Sequence, residues 1–228
     1  METLEDHVRA LKKRLTFIIL AFTAATAITF YYSQDILVWV QNDLNFTLNA
    51  LHAYEAFYTQ IMIAMLGGFL ISLPFNVYQV LQFLKPGLRK KEYRTIRNFL
   101  PFSIILFLGG AAFAYNYVVK LSLAFFSRTT AAAGVEAIWG LQNTIGFALK
   151  LSAFTGIIFQ LPIVALVLSR AGVIDSEIME EYRAYFIVAI LIVSAVATPP
   201  DIITQLLITG PVIGLYQLSI FLVRKFES

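Results

Sequence analysis

The chain has 228 residues, of which 59% are hydrophobic and 14% charged, with a formal net charge of +3 and a mean hydropathy of +0.75. That balance excludes a water-soluble fold and predicts an all-α polytopic membrane protein. Cysteine is absent, which excludes disulfides and thiolate sites, and the two scattered histidines, His7 and His52, cannot build a metal centre, so no metal, cofactor or nucleic-acid partner is expected.

Taken in chain order, the amino terminus METLEDHVRALKKRL is too charged, and the apolar run behind it too long, for a cleaved signal peptide. The first run, about 15–32, is therefore read as a permanent span. A hydrocarbon core takes about 20 helical residues, or somewhat fewer where the bilayer thins. Runs at about 56–81, 99–126 and 143–169 satisfy that length. The fifth, about 183–197, offers only about 15 residues or roughly 22 Å and is expected to be a short span. The sixth, about 202–223, contains Gly210, Pro211 and Gly214. Six spans place both termini on one side, and the chain reads as a single membrane domain over 1–228.

Lysine and arginine choose the side. Arg9, Lys12, Lys13 and Arg14 precede the first span; Lys85, Arg89, Lys90, Lys91, Arg94 and Arg97 lie between the second and third; Arg170 and Arg183 lie between the fourth and fifth; Arg224 and Lys225 follow the sixth. These are fourteen of the 17 cations. The positive-inside rule predicts both termini on the cytoplasmic side of the membrane. Prolines at 74, 101, 162 and 211 predict broken helices and a curved, cup-like bundle.

Within FLKPGLRKKEYRTIRNFLP, residues 83–101, six cations surround one acid, Glu92. Two readings fit the spacing. Glu92 pairs at the surface with neighbours such as Arg89, worth tenths of a kcal/mol, or it waits for a guanidinium that it can hold in a bidentate pair. Further along, Lys150 places an ammonium at membrane depth, where snorkelling is the expected solution. Asp201 follows Pro199 and Pro200 and can cap the sixth helix, with Gln205 four residues on along the same face.

Several segments together resemble one family. YQVLQFLKPGLRKKEYR at 78–94 resembles the first cytoplasmic loop of TatC, the receptor subunit of the twin-arginine protein translocase, with Tyr78, Gln79, Phe83, Pro86, Gly87, Leu88 and Glu92 in order. ATPPDIITQ at 197–205 resembles the family's TPPD signature, and HVRALKKRL at 7–15 resembles its amino-terminal helix. SLPFNVYQ at 72–79 and YEAFY at 54–58 are similar to further family segments. The resemblance implies a non-enzymatic receptor in an oligomeric complex. Such a receptor binds twin-arginine signal peptides of folded cargo at its cytoplasmic face and recruits TatA/TatB-type single-span partners for export driven by the proton motive force.

By that resemblance Glu92 receives the arginine pair, while Phe83, Pro86 and Leu88 shape the loop, Arg94 and its neighbours orient the acid, and Leu11 and Lys12 belong to the adjoining amino-terminal helix. Gln160, Asp201 and Gln205 are the residues expected to meet a partner helix. Three positions depart from the pattern. Ala10 stands where the family has a glutamate, with only Glu5 and Asp6 nearby; Asp43 stands near a family proline; and Gln160 stands where many relatives have glutamate. Gln160 also suits an ordinary interhelical hydrogen bond. The rival readings are a secondary transporter with a midplane site around Gln160 and Lys150, and a passive membrane scaffold.

Overall fold

The computed structural model describes residues 4–84, 90–170, 172–197 and 202–227. Their backbone is helical almost throughout, and five stretches among them are long and apolar enough to cross a membrane: Leu11–Tyr31, Glu55–Val80, Pro101–Ala132, Leu141–Arg170 and Ile202–Lys225. A shorter apolar helix, Arg183–Ala195, lies between the last two. The contacts divide the chain into two compact units, residues 1–46 with 50–104, and residues 47–49 with 105–228.

The first unit holds α1 (Leu4–Tyr31), α2 (Ser33–Leu44), α3 (Glu55–Leu84) and the first part of α4 (Lys90–Phe113). α1 and α3 run antiparallel, with Phe30 edge-on to Phe57 near one end and Arg14 bonded to Gln79 near the other. Small residues set their spacing. A Cβ on Gly68 would lie 2.7 Å from the Thr26 backbone nitrogen, and one on Gly67 would run into the Thr29 side chain. In hydrocarbon no hydrophobic force pulls helices together, so such close backbone approach supplies the packing contacts. The Thr29 hydroxyl, buried here, donates to the Ala25 carbonyl one turn back.

The connection between the first two predicted spans, 33–55, contains α2. Its Leu37, Val40 and Leu44 are buried at helical spacing, and it packs on α3 and α1. At 12 residues, about 18 Å, it is too short to span. Asn45 ends it with φ 56°, in the left-handed region that asparagine tolerates.

The second unit begins with a two-residue strand, β1 (Leu48–Asn49), paired in parallel with β2 (Trp139–Gly140). Beyond Ile105, α4 passes into a π-helical segment, Ala114–Val119, and then α5 (Lys120–Ala132), forming one long rod. α6 (Leu141–Ile158) and α7 (Leu161–Arg170) follow, then α8 (Ser176–Glu181), α9 (Arg183–Ala197) and α10 (Ile202–Glu227). Phe107, Val118, Ile145, Leu151, Leu166, Val212 and Val223 fill the core. The Asp175 carboxylate caps α8 by accepting from the Ile178 amide at 2.7 Å. Tyr216 joins α10 to α8, donating to the Met179 carbonyl and stacking on Phe186 at 3.9 Å.

The prolines behave differently from the sequence expectation. α3, α4 and α10 run on through Pro74, Pro101 and Pro211. The chain leaves the helix only at Phe159 and Gln160, just before Pro162. Pro162 has no amide hydrogen to give the Ile158 carbonyl and crowds it. The Gln160 amide turns to Ile157, and its carbonyl accepts from Ile163 and Val164 to start α7.

Gly68→Ala should destabilise the protein in detergent. The clash with Thr26 costs about 1–3 kcal/mol against a helix-propensity gain of about 1 kcal/mol. Gly109→Ala, where a Cβ meets nothing within 4 Å, should leave the unfolding midpoint unchanged or raise it. Equal midpoints for the two variants would contradict the close approach.

Candidate functional site

One end of the first unit gathers three helix ends. α3 closes with Gln82, whose side-chain nitrogen donates both to the Tyr78 hydroxyl, at 2.8 Å, and to the Tyr93 hydroxyl, at 2.9 Å. Tyr93 lies in the first turn of α4, next to Glu92, so a single amide ties the end of α3 to the start of α4. One turn earlier on α3, the Arg14 guanidinium of α1 donates to the Gln79 side-chain oxygen at 3.3 Å. Lys13, Arg14, Phe17 and Gln79 line a cavity of about 210 Å³ there.

The predicted residues fall at this end as follows. Leu11 is 47% exposed and Lys12 is exposed on α1, within a turn of Arg14. Phe83 lies in the last turn of α3, and Glu92 and Arg94 lie in the opening turns of α4. Pro86 and Leu88 lie outside the described residues. α1 is helical from Leu4, so Asp6 stands one turn before Ala10 on the same face, whereas Glu5 is rotated away.

Among the described residues, the charged ones at this end are mostly basic, with Arg9, Lys12, Lys13 and Arg14 on α1 and Lys90, Lys91, Arg94 and Arg97 on α4. Sequence reading missed Gln82, Tyr93 and Arg14 as positioning residues. The only advance signal was Gln79, already part of the matched YQ pair.

The second candidate set belongs to the second unit. Gln160 is half-buried at the α6–α7 break and engaged in hydrogen bonding. The Gln205 side chain donates to the Leu191 carbonyl at 3.0 Å, tying the first turns of α10 to α9. One residue earlier, the buried Thr204 hydroxyl meets Ser122 of α5 at 2.8 Å. Gln205 thus has an internal task in addition to any external one. Asp201 lies outside the described residues. Among the described residues, no three His, Asp or Glu side chains come together as a metal site.

Comparison with known proteins bears directly on this arrangement. The family model for the Sec-independent protein translocase protein (TatC) matches residues 6–211. The chain is 35% identical to the Sec-independent protein translocase protein TatC of Aquifex aeolicus, covering 96% of this chain and 93% of that protein. It is 32% identical to the TatC of Listeria innocua, covering 99% and 94%. Among solved structures, it superposes on the crystal structure of the twin arginine translocase receptor TatC in DDM with a TM-score of 0.85 and 34% identity, covering 95% of this chain and 99% of that one. With a family model matching almost the whole chain and relatives more than 30% identical over nearly their full length, the chain belongs to the TatC family of Sec-independent protein translocase proteins.

Proposed function

We propose that this translocase component is the receptor for twin-arginine signal peptides, and that Glu92 is the carboxylate that takes the arginine pair. The observation that carries this reading is the Gln82 tie. It holds the first turn of α4, where Glu92 sits among cations, against the end of α3. A guanidinium offers a planar fork that a carboxylate matches with two parallel hydrogen bonds, and lysine cannot reproduce that fit. The surrounding cations repel a peptide that lacks such a match, which turns a lone acid into a selective one. In this reading Phe83, Pro86, Leu88, Leu11, Lys12 and Arg94 complete the signal-peptide site, and Asp6 offers a second carboxylate in place of the glutamate missing at Ala10.

The wider arrangement in this proposal is one membrane domain with six crossings, α9 being the short fifth, and both termini on the cytoplasmic side of the cell membrane. The placement of fourteen of 17 cations supports it. The protein acts by binding rather than by covalent chemistry. TatA/TatB-type single-span proteins are its partners in an oligomeric complex, with Gln160, Asp201 and Gln205 as candidates for meeting a partner helix. A midplane transporter site around Gln160 and Lys150 is not favoured, because the family match covers almost the whole chain.

In cells whose own TatC has been removed, Glu92→Gln should abolish export of twin-arginine cargo while membrane levels of the protein stay normal. Wild-type export by that variant would refute the assignment. Gln82→Leu removes two hydrogen bonds of about 0.5–1.5 kcal/mol each and should weaken signal-peptide binding about threefold or more while keeping the preference for arginine. Unchanged affinity in that variant would remove Gln82 from the positioning role.

A further inference from the structure

Within the second unit, α7, α8, α9 and α10 enclose a groove of about 460 Å³ that the receptor reading leaves unused. Leu161, Val164 and Leu168 lie along it at intervals of three and four residues, on one face of α7 about 10 Å long. Val164 and Leu168 are exposed, so the groove opens outward. Part of its wall is braced: Phe186 of α9 stacks on Tyr216 of α10 at 3.9 Å, and the Tyr216 hydroxyl donates to the Met179 carbonyl of α8. Ser219, also in the wall, gives its hydroxyl to the Leu215 carbonyl of its own helix at 2.7 Å. The interior therefore suits an apolar chain rather than a polar solute.

One end of the groove is basic. Arg183, exposed at the first residue of α9, stands between Tyr182 and Tyr185, two exposed residues of the groove wall. Arg170 ends α7 at this same end, and Arg224 in the last turn of α10 pairs with Glu180 of α8 at 2.7 Å. Tyrosines beside cations are the composition of a membrane interface, where lipid phosphates lie, so the groove runs from headgroup level into hydrocarbon. We infer that it holds one acyl chain of an anionic phospholipid, with the phosphate at Arg183. Basic pockets between membrane helices take anionic headgroups in this way. The apolar wall supplies contact with the chain, Arg183 supplies selectivity for charge, and Tyr182 and Tyr185 offer hydroxyl donors on either side of it. The inference goes beyond the receptor reading and depends neither on Glu92 nor on Gln160.

The test titrates the full detergent-purified chain with phosphatidylglycerol, or with phosphatidylcholine of the same acyl chains, and counts bound lipids by native mass spectrometry. One phosphatidylglycerol should bind about fivefold or more tightly than phosphatidylcholine. Arg183→Gln, a surface change, should lower phosphatidylglycerol affinity about fivefold and leave phosphatidylcholine unchanged. Arg128→Gln, an exposed cation on α5 outside the groove wall, should change neither. Ala189→Trp, which fills the groove from an exposed position in its wall, should weaken both lipids about tenfold. Equal binding of the two lipids to the unaltered chain, a preference that survives Arg183→Gln, or a loss that Arg128→Gln reproduces overturns the inference. So does displacement of the bound lipid by a leucine- and alanine-rich single-span peptide, which would give the groove to a helix.

Discussion

A bilayer interior offers almost no water to a peptide group, so each amide and carbonyl there has to find its partner within the protein. That constraint accounts for a chain built almost wholly of helix and for what its polar side chains do inside the spans. The hydroxyls of Thr29, Thr59, Ser122, Thr209 and Ser219 each fold back onto the carbonyl four residues earlier on their own helix. Gln205 reaches across to the Leu191 carbonyl, and the break before Pro162 resolves into a turn whose carbonyl starts the next helix. Polar atoms inside the spans thus act chiefly as fasteners, which leaves charge to do its work at the ends.

Recognition by charge then belongs at the surface, where a carboxylate keeps its ionised form without the cost of burial. In the proposed receptor, the turn of α4 that carries Glu92 is tied to α3 by two side chains with no net charge, Gln82 and Tyr93. Arg14, by contrast, is occupied by Gln79 and contributes to shaping the α1–α3 end.

Hydropathy made the long helices legible, because a span must be apolar over its whole length. It marked only their membrane-embedded part: α1 begins at Leu4, well before the apolar run, since HVRALKKRL is helical but charged. α2 went unread although Leu37, Val40 and Leu44 carry helical spacing, because Asp35, Gln41 and Asp43 dilute the run. The π-helical segment at Ala114–Val119 and the β1–β2 pair depend on packing and on partners about ninety residues away, which local pattern does not encode. At the site, Glu92 was legible as the one acid in a basic stretch. The Gln82–Tyr93 bond was not, because it joins two side chains eleven residues apart on different helices. Gln205 looked like a residue for a partner, yet its amide meets a backbone carbonyl, an acceptor that every residue possesses and no sequence motif announces.

The most direct test of the central claim is the affinity of the detergent-purified protein for a synthetic signal peptide with Arg-Arg and for its Lys-Lys twin, measured on the unaltered chain and on Glu92→Gln. The account predicts that the unaltered chain prefers Arg-Arg by about tenfold or more and that the variant shows no preference. Equal affinity of the unaltered chain for both peptides would contradict it.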